Sequence, residues 1–181
     1  LARVVAQYEN EITLPFKRYH IAPVWRGERP QKGRYREFYQ CDVDIVGVAG
    51  MQADAEIISL VVTALRRLGF PKFAVKINNR KLLTGMGVYA GVSDEQLPDL
   101  YRSVDKFDKI GAAGVEKELV ERGIADDVVR RMIELIVSRE PGIANLDVIE
   151  ARLGSIPAAA EGLAELRELA QHIEEAGVDP A

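Results

Sequence analysis

Apolar and polar side chains alternate along two runs near the start of the chain, with the period of two that is typical of β-strands. The first run covers residues 18–26 and the second covers residues 38–45. A polar segment with two glycines, residues 27–34, joins them. The pattern predicts an antiparallel hairpin with a long cationic loop. Pro23 has no amide hydrogen to donate, so it indicates an edge position or a local bulge.

A helical period follows at Met51–Leu68, with acidic residues near its start and arginines near its end, as the helix dipole favours. Gly69 is expected to end this helix. Its apolar stripe is predicted from positions three and four apart: Ile57, Leu60, Val61, Ala64, Leu65 and Leu68. Residues 72–78 alternate again and predict a third strand, after which Asn79 is expected to cap a short helix.

Only helical periods follow Tyr89. Ser93 is expected to cap the next helix, with Gln96 at the capping-box position. Further helices are predicted at Ile110–Gly123, Ala125–Arg139, Leu146–Leu153 and Ile156–Ala176, with a break at Pro141 and Gly142. The fold class is therefore α+β. Part of an antiparallel sheet with flanking helices is expected in residues 1–92, and an all-helical module in residues 93–181.

The hairpin also carries candidate chemistry. Because successive strand side chains point to opposite faces, one face is predicted to present Arg26, Glu28, Phe38, Gln40, Asp42 and Asp44. A guanidinium grips phosphate, an aromatic ring stacks a base, and an amide or carboxylate holds an ammonium group. This set suits a nucleoside triphosphate beside a small zwitterion. A sheet with a solvated polar face explains the same pattern equally well.

Composition narrows the function classes. The formal net charge of −4 over 181 residues excludes a globally basic surface, so any contact with RNA needs a local patch. The single cysteine, Cys41, excludes an intrachain disulfide and is expected to be a small buried residue, in keeping with a cytoplasmic protein. His20 and His172 lack the spacing of metal ligands, so no metal site is expected. No apolar run approaches the roughly 20 residues of a membrane span.

The hairpin sequence VWRGERPQKGRYREFYQCDVDIVG, residues 24–47, resembles motif 2 of the class II aminoacyl-tRNA synthetases, and more narrowly that of the histidyl-tRNA synthetases. The downstream segments KINNRKLLTGM, GVSDEQL and SVDKFDKIG are similar to the eukaryote-like branch of the same family. The resemblance is strongest over residues 18–109. It implies ATP-dependent activation of histidine to histidyl-adenylate, followed by transfer to tRNA(His).

The resemblance also implies roles for individual residues in ATP binding. Arg26 would be the catalytic group that holds the α-phosphate of ATP and the carboxylate of histidine. Glu28 would contact adenine or its ribose side, and Phe38 would stack on adenine. Arg34 would reach the β- and γ-phosphates. Mg²⁺ would bridge the phosphates, whose oxygens it prefers.

For histidine binding, the resemblance implies that Gln40 and Asp44 contact the α-amino group. Many bacterial members of the family have a glutamate where this chain has Asp44. Two further partners are implied, the acceptor stem of tRNA(His) against the helical insertion domain and a second copy of the full-length protein. Arg130, Arg131, Lys106 and Lys109 are the local basic candidates for the RNA contact, although a solvated helix face explains them more simply.

Several motifs of the family are missing from this sequence. Neither a stretch like RGLDYYTG, which would recognise the imidazole ring, nor motif 3 is found. Because the chain also begins with Leu1, we interpret it as a fragment of a longer protein that is inactive alone. Two other interpretations remain, a catalytically silent relative such as the regulatory subunit of ATP phosphoribosyltransferase, and an unrelated α/β protein with a chance motif.

Overall fold

A computed structural model describes residues 1–137 and 142–178 and has the expected α+β composition. One short helix precedes two strands, and seven helices follow: α1 Ala2–Gln7, β1 Phe16–Trp25, β2 Glu37–Val46, α2 Gln52–Arg67, α3 Arg80–Ala90, α4 Leu97–Val104, α5 Phe107–Glu121, α6 Asp126–Val137, α7 Ala144–Leu153 and α8 Pro157–Glu175. Within the described ranges no helix combines the length and apolar character that crossing a membrane requires.

The two strands form the predicted antiparallel hairpin. Their register is unbroken from Phe16 opposite Val46 to Trp25 opposite Glu37, so Pro23 sits in a regular ladder without a bulge. The backbone amide of Arg26 donates to the carbonyl of Arg36 at 2.8 Å. Residues 24 and 22 therefore occupy hydrogen-bonded pairs, and the nitrogen of Pro23 is directed away from β2, where no donor is needed.

The third strand predicted at residues 72–78 is wrong for this structure. Residues 73–79 form no ladder, and Phe73, Val75 and Ile77 remain between a third and a half exposed. A period of two describes an extended chain with two faces, but a strand also needs a neighbour to accept its hydrogen bonds. The hairpin is the only sheet among the residues that the structure describes.

Helix α2 ends where the sequence predicts, but it buries a different face. Gly69 follows it with φ +83, and its amide donates to the carbonyl of Arg66 at 3.0 Å. The buried positions are Ala55 and Val62, whereas Leu60, Val61 and Leu68 of the predicted stripe are exposed. Apolar residues surround much of this helix, so the position of α8 rather than the apolar period selects the buried face.

The main core lies among the later helices. Every buried hydrophobic side chain of the described residues belongs to Ala55 or a later position, and the largest cluster runs from Leu82 in α3 to Leu163 in α8. Asn79 caps α3 as predicted, since its side-chain oxygen accepts from the amides of Lys81 at 2.8 Å and Leu82 at 3.4 Å. Helix α3 thus packs into the helical core although it precedes the boundary expected near residue 92, and that domain division stays a prediction.

Helices α3 and α8 approach closely because two glycines lie in their contact. A Cβ atom on Gly85 would lie 2.5 Å from the Cβ of Ala159, and one on Gly162 would lie 2.5 Å from the backbone nitrogen of Leu82. Both distances are shorter than any tolerable contact, so only glycine permits this separation. The pair fixes α8 against the start of α3.

The remaining helices match the predicted periods with shifted ends. Helix α4 begins at Leu97 with Gln96 as its cap residue, so the capping role assigned to Ser93 is wrong. Pro98 fits the first turn of this later start, and the Ser93 hydroxyl donates instead to the side chain of Gln96 at 3.2 Å. The predicted end of α6 at Arg139, the break at Pro141 and the residues after Val178 lie outside the described residues.

Candidate functional site

One face of the hairpin gathers the predicted site residues. The register places Val24 opposite Phe38, and Ala22 opposite Gln40. Directly opposed residues of antiparallel strands share a face, so the even-numbered residues of both strands lie together. We call this the even face; it carries Arg18, His20, Phe38, Gln40, Asp42 and Asp44, with Arg26 at its end. The predicted pairing of faces is confirmed for Arg26 and the four β2 residues, whereas Glu28 lies in the loop beyond the end of β1.

Arg26 is held in place by two neighbours on the even face. Its Nη2 donates to Oε1 of Gln40 at 2.9 Å, and its guanidinium carbon lies 5.0 Å from the centre of the Phe38 ring. Phe38 and Gln40 lie two positions apart in β2, so the alternation of side chains along the strand places both on the even face. The guanidinium has five donor hydrogens, so one bond to Gln40 leaves donors for a phosphate or carboxylate.

Gln40 links Arg26 to a carboxylate. Its Nε2 donates to Oδ1 of Asp42, while its Oε1 accepts from Arg26. An arginine can only donate, so this chain of contacts requires the amide orientation in which nitrogen faces Asp42. The three side chains form a continuous polar row, which we call the Arg26–Gln40–Asp42 row.

Asp44 lies farther along the same face and is already paired. Its Oδ2 is 2.6 Å from Nη2 of Arg18, the residue directly opposite in the register. Both side chains are about 30% exposed (29% for Arg18 and 31% for Asp44), so this pair is partly shielded from water. Sequence reasoning missed Arg18 because the pairing depends on the register of the two strands.

The loop residues predicted to bind ATP contact each other. Nη1 of Arg34 lies 3.3 Å from Oε2 of Glu28, and Nε of Arg36 donates to the backbone carbonyl of Glu28 at 3.2 Å. At the loop tip the backbones of Gln31 and Arg34 exchange two hydrogen bonds around Gly33, which has φ +79. The Glu28–Arg34 pair is well exposed, and such pairs contribute about 0–1 kcal/mol, so a bound triphosphate would compete easily for Arg34.

The opposite face of the hairpin carries exposed apolar groups. Tyr19, Trp25 and Tyr39 are each more than two-thirds exposed, and Ile21 is 63% exposed. Cys41 shares this face and is exposed, so its expected burial is wrong. No described element covers this end of the sheet, because α2 reaches only its far end, where Lys17 contacts Glu56 at 2.6 Å.

Two of the basic residues considered for RNA contact are engaged within the protein. Nε and Nη2 of Arg131 donate to the carbonyl of Ala90, the last residue of α3, at 2.9 and 2.8 Å. Nζ of Lys106 lies 2.6 Å from Glu118, whose pKa is lowered by hydrogen bonds from Lys106 and Arg122. Arg130 and Lys109 are exposed.

His172 is partly buried on α8. Its ring is 24% exposed, and its Nδ1 lies 3.0 Å from Oε2 of Glu175. This contact, with a second hydrogen bond from Gln171, lowers the pKa of Glu175. His172 therefore makes a surface contact within α8, and it is distant in sequence from the even face.

Comparison with known proteins identifies close relatives. A sequence model of the family described as histidyl-tRNA synthetase matches residues 1–181. The histidine–tRNA ligase of Aeropyrum pernix is 47% identical over 170 residues, which are 93% of this chain and 38% of that protein. The histidine–tRNA ligase of Flavobacterium johnsoniae is 39% identical over 180 residues, which are 99% of this chain and 38% of that protein. The chain thus spans about two-fifths of the curated relatives that it matches.

Solved structures give the same picture of the fold. A crystal structure of histidyl-tRNA synthetase from Nostoc sp. PCC 7120 superposes with a TM-score of 0.84 at 28% identity, covering 99% of this chain and 41% of that one. A Bacillus halodurans protein described as an ATP phosphoribosyltransferase regulatory subunit/histidyl-tRNA synthetase superposes with a TM-score of 0.79. Its 21% identity supports the shared fold alone, over 98% of this chain and 45% of that one.

Proposed function

This chain belongs to the histidyl-tRNA synthetase family, and we propose that it supplies motif 2 and the helical insertion domain of a longer histidine–tRNA ligase. That enzyme would activate histidine with ATP and transfer it to tRNA(His). The observation that carries the proposal is the even face, on which Arg26 lies against both Phe38 and Gln40. These are a phosphate-binding group, a base-stacking ring and an amide in one small area.

The proposed reaction needs positioning more than a protein nucleophile. The carboxylate of histidine attacks the α-phosphorus of ATP in line, and pyrophosphate leaves. Arg26 holds both reacting groups and stabilises the charge that develops between them. Phe38 stacks the adenine on the ring face that Arg26 leaves open. Arg34 exchanges Glu28 for the β- and γ-phosphates, which releases the Glu28 carboxylate for adenine or its ribose.

Mg²⁺ enters this proposal only with the nucleotide. The described residues contain no group of three or more His, Cys, Asp or Glu side chains placed to hold a metal ion. The described side chains therefore do not fit a Mg²⁺ site built by the protein alone. Phosphate oxygens with water are its usual ligands in nucleotide sites.

The remaining partners are proposals at the level of the full-length protein. We place the acceptor stem of tRNA(His) against the helical domain, residues 93–181, with Arg130 and Lys109 as its exposed basic groups. Lys106 and Arg131 would first have to leave their internal partners. A homodimer working in the cytoplasm completes the proposal. The set Arg26, Glu28, Arg34, Phe38 and Gln40 favours the ligase over a silent regulatory relative, which has no need of ATP-binding groups.

Calorimetric titration of the chain with ATP·Mg²⁺ tests the proposed nucleotide site. We expect weak, saturable binding that is lost in Arg26→Ala and in Phe38→Ala. Tyr39→Ala is the matched control, because Tyr39 is the next aromatic residue of β2 and lies on the opposite face. Binding that survives both even-face substitutions would contradict the site.

Catalysis is tested separately by histidine-dependent ATP–pyrophosphate exchange. We expect exchange by the full-length protein and none by this chain alone. Absence of exchange in the full-length protein would reject the ligase assignment and favour the regulatory one. Exchange by the isolated chain would reject the expectation that the fragment is inactive.

A further inference from the structure

Residues 66–81, which we call the basic segment, contain six cationic side chains and no acidic one. The whole chain has 28 acidic against 24 basic residues, so this segment contrasts with its surroundings. It runs from the last turn of α2, through the connection that forms no ladder, to the first turn of α3. A local concentration of cations in a chain of negative net charge indicates a surface for a polyanion.

Two of the six cations have carboxylate partners. Nζ of Lys81 contacts the carboxylates of both Glu161 and Glu165, so its charge is compensated in the contact of α3 with α8. Lys76 lies 2.6 Å from Asp108, but these side chains are 71% and 64% exposed. Such an exposed pair contributes about 0–1 kcal/mol, so a phosphate can replace Asp108 at little cost.

The other four cations are exposed, and none of them forms an ion pair with a carboxylate of the described residues: Arg66, Arg67, Lys72 and Arg80. Arg66 and Lys72 line the same cleft, because the turn at Gly69 brings the end of α2 beside the start of the connection. Their charges are therefore available to a ligand from outside the chain.

An aromatic ring holds Arg80 in position. Its guanidinium carbon lies 5.3 Å from the centre of the Tyr101 ring, and the Tyr101 hydroxyl is 2.7 Å from that of Thr84. A guanidinium over a ring keeps its N–H donors, which lie in its own plane, for an acceptor at its edge. Because a ring and not a carboxylate fixes Arg80, the side chain is ordered while its charge stays free for a phosphate.

Exposed aromatic rings lie among these cations in the sequence. Phe70 is 53% exposed and Phe73 is 37% exposed. Surfaces that bind single-stranded nucleic acid combine cations with aromatic rings on which unpaired bases stack. An acidic peptide would use the charges and leave the rings without a partner. The composition of the basic segment therefore favours RNA over an acidic protein.

We propose that the basic segment binds the sugar–phosphate backbone of the RNA substrate, with Lys72 and Arg80 as phosphate contacts. The inference rests on the proposed function for the identity of that RNA. It extends the RNA contact to a surface that precedes the helical domain, residues 93–181. Arg66 lies beside Lys72 and adds to the positive potential that attracts the phosphates.

The test measures binding of a tRNA(His) transcript to the full-length protein by fluorescence anisotropy at several salt concentrations. Lys72→Gln/Arg80→Gln should reduce the slope of log affinity against log salt by about two, because each phosphate contact contributes close to one. Affinity at a fixed salt concentration should fall roughly tenfold or more. Lys117→Gln/Arg152→Gln removes the same two charges from exposed positions of α5 and α7 and is the matched control.

Histidine-dependent ATP–pyrophosphate exchange needs no RNA and separates this inference from the proposed function. Exchange by Lys72→Gln/Arg80→Gln should equal that of the parent protein, because neither residue lies on the even face. Unchanged RNA affinity and salt slope in this variant would overturn the inference alone.

Two further results would also overturn the inference. An equal loss of RNA affinity in the control variant would mean that only net charge matters, and a loss of exchange together with RNA affinity would indicate general damage. A parent protein that exchanges but binds no RNA would overturn the inference as well. Absence of exchange by a parent protein that binds RNA through the basic segment would instead reject the proposed function and leave the RNA surface supported.

Discussion

At the scale of single residues, the contacts of a partly buried charged side chain depend on its partners in the fold more than on its neighbours in the sequence. Glu165 on α8 is an example: its carboxylate accepts from Nζ of Lys81 at 2.5 Å and from Nδ2 of Asn79 at 2.6 Å. These two hydrogen bonds lower the pKa of Glu165 below its ordinary value. The same group therefore links the cap of α3 to α8.

This contact predicts a pH dependence of stability. Because the folded-state pKa of Glu165 is lowered, its contribution is fully present above the unfolded-state pKa of about 4.3 and is lost as the pH falls through the lower folded-state value. In thermal unfolding at pH values from 7 to 3, the melting temperature of the parent chain should exceed that of Glu165→Gln at pH 7. The difference should shrink as the pH falls across that window. Glu174→Gln removes an exposed carboxylate from the same helix and is the matched control.

At the scale of elements, sequence periodicity predicts which segments are helical but not which neighbour each one meets. The hairpin and the helices after Tyr89 were predicted because their periods are local properties. The strand predicted at residues 72–78 does not form, and the buried face of α2 differs from the predicted stripe, because both depend on a second element that packs beside them. The sequence therefore predicts where an element lies in the chain more reliably than which of its surfaces packs against a neighbour.

The candidate site divides in the same way. The period of two placed Arg26, Phe38 and Gln40 on one face, and the family resemblance supplied the role of each. The pairing of Arg18 with Asp44 was invisible, because the two residues are 26 positions apart and meet only through the register. The contact of Glu28 with Arg34 depends on the shape of a loop, which no period describes.

The contact between α3 and α8 leads to a prediction of unusual sign. Replacing glycine by alanine inside a helix normally stabilises it by up to about 1 kcal/mol. Gly162→Ala should instead cost about 1–3 kcal/mol, because its methyl group would collide with the backbone of Leu82. Urea unfolding gives the free energy of unfolding for each variant.

Ala164→Gly is the matched variant on the same helix. Ala164 is exposed two residues away, so its replacement by glycine should cost about 1 kcal/mol through helix propensity alone. An increase in stability for Gly162→Ala would mean that α3 and α8 can separate without loss, contrary to their packing here.

At the scale of the whole molecule, the candidate site and the core occupy different parts of the chain. None of the buried hydrophobic side chains in the described ranges precedes Ala55, so the hairpin has no packed interior of its own. Regions with few buried apolar contacts open at lower free energy than the core. The site is thus expected to lie in the least stable part of the isolated chain.

Native-state hydrogen exchange tests this expectation. Amides of β1 and β2 should exchange through local opening, with protection well below that of the amides in α3 and α8. The core helices should exchange only through global unfolding, and they provide the internal reference. Equal protection of the hairpin and the core would show that the chain unfolds as one cooperative unit.

The chain contains a single tryptophan, Trp25, which lies 69% exposed at the end of β1 on the face opposite the candidate site. Trp25 directly precedes Arg26, and its partner in the ladder is Glu37, the residue before Phe38. Intrinsic tryptophan fluorescence therefore reports on the hairpin alone, whereas far-UV circular dichroism is dominated by the helices. Melting curves that coincide by both signals would indicate two-state unfolding, and separate curves would give the stability of the hairpin without any added label.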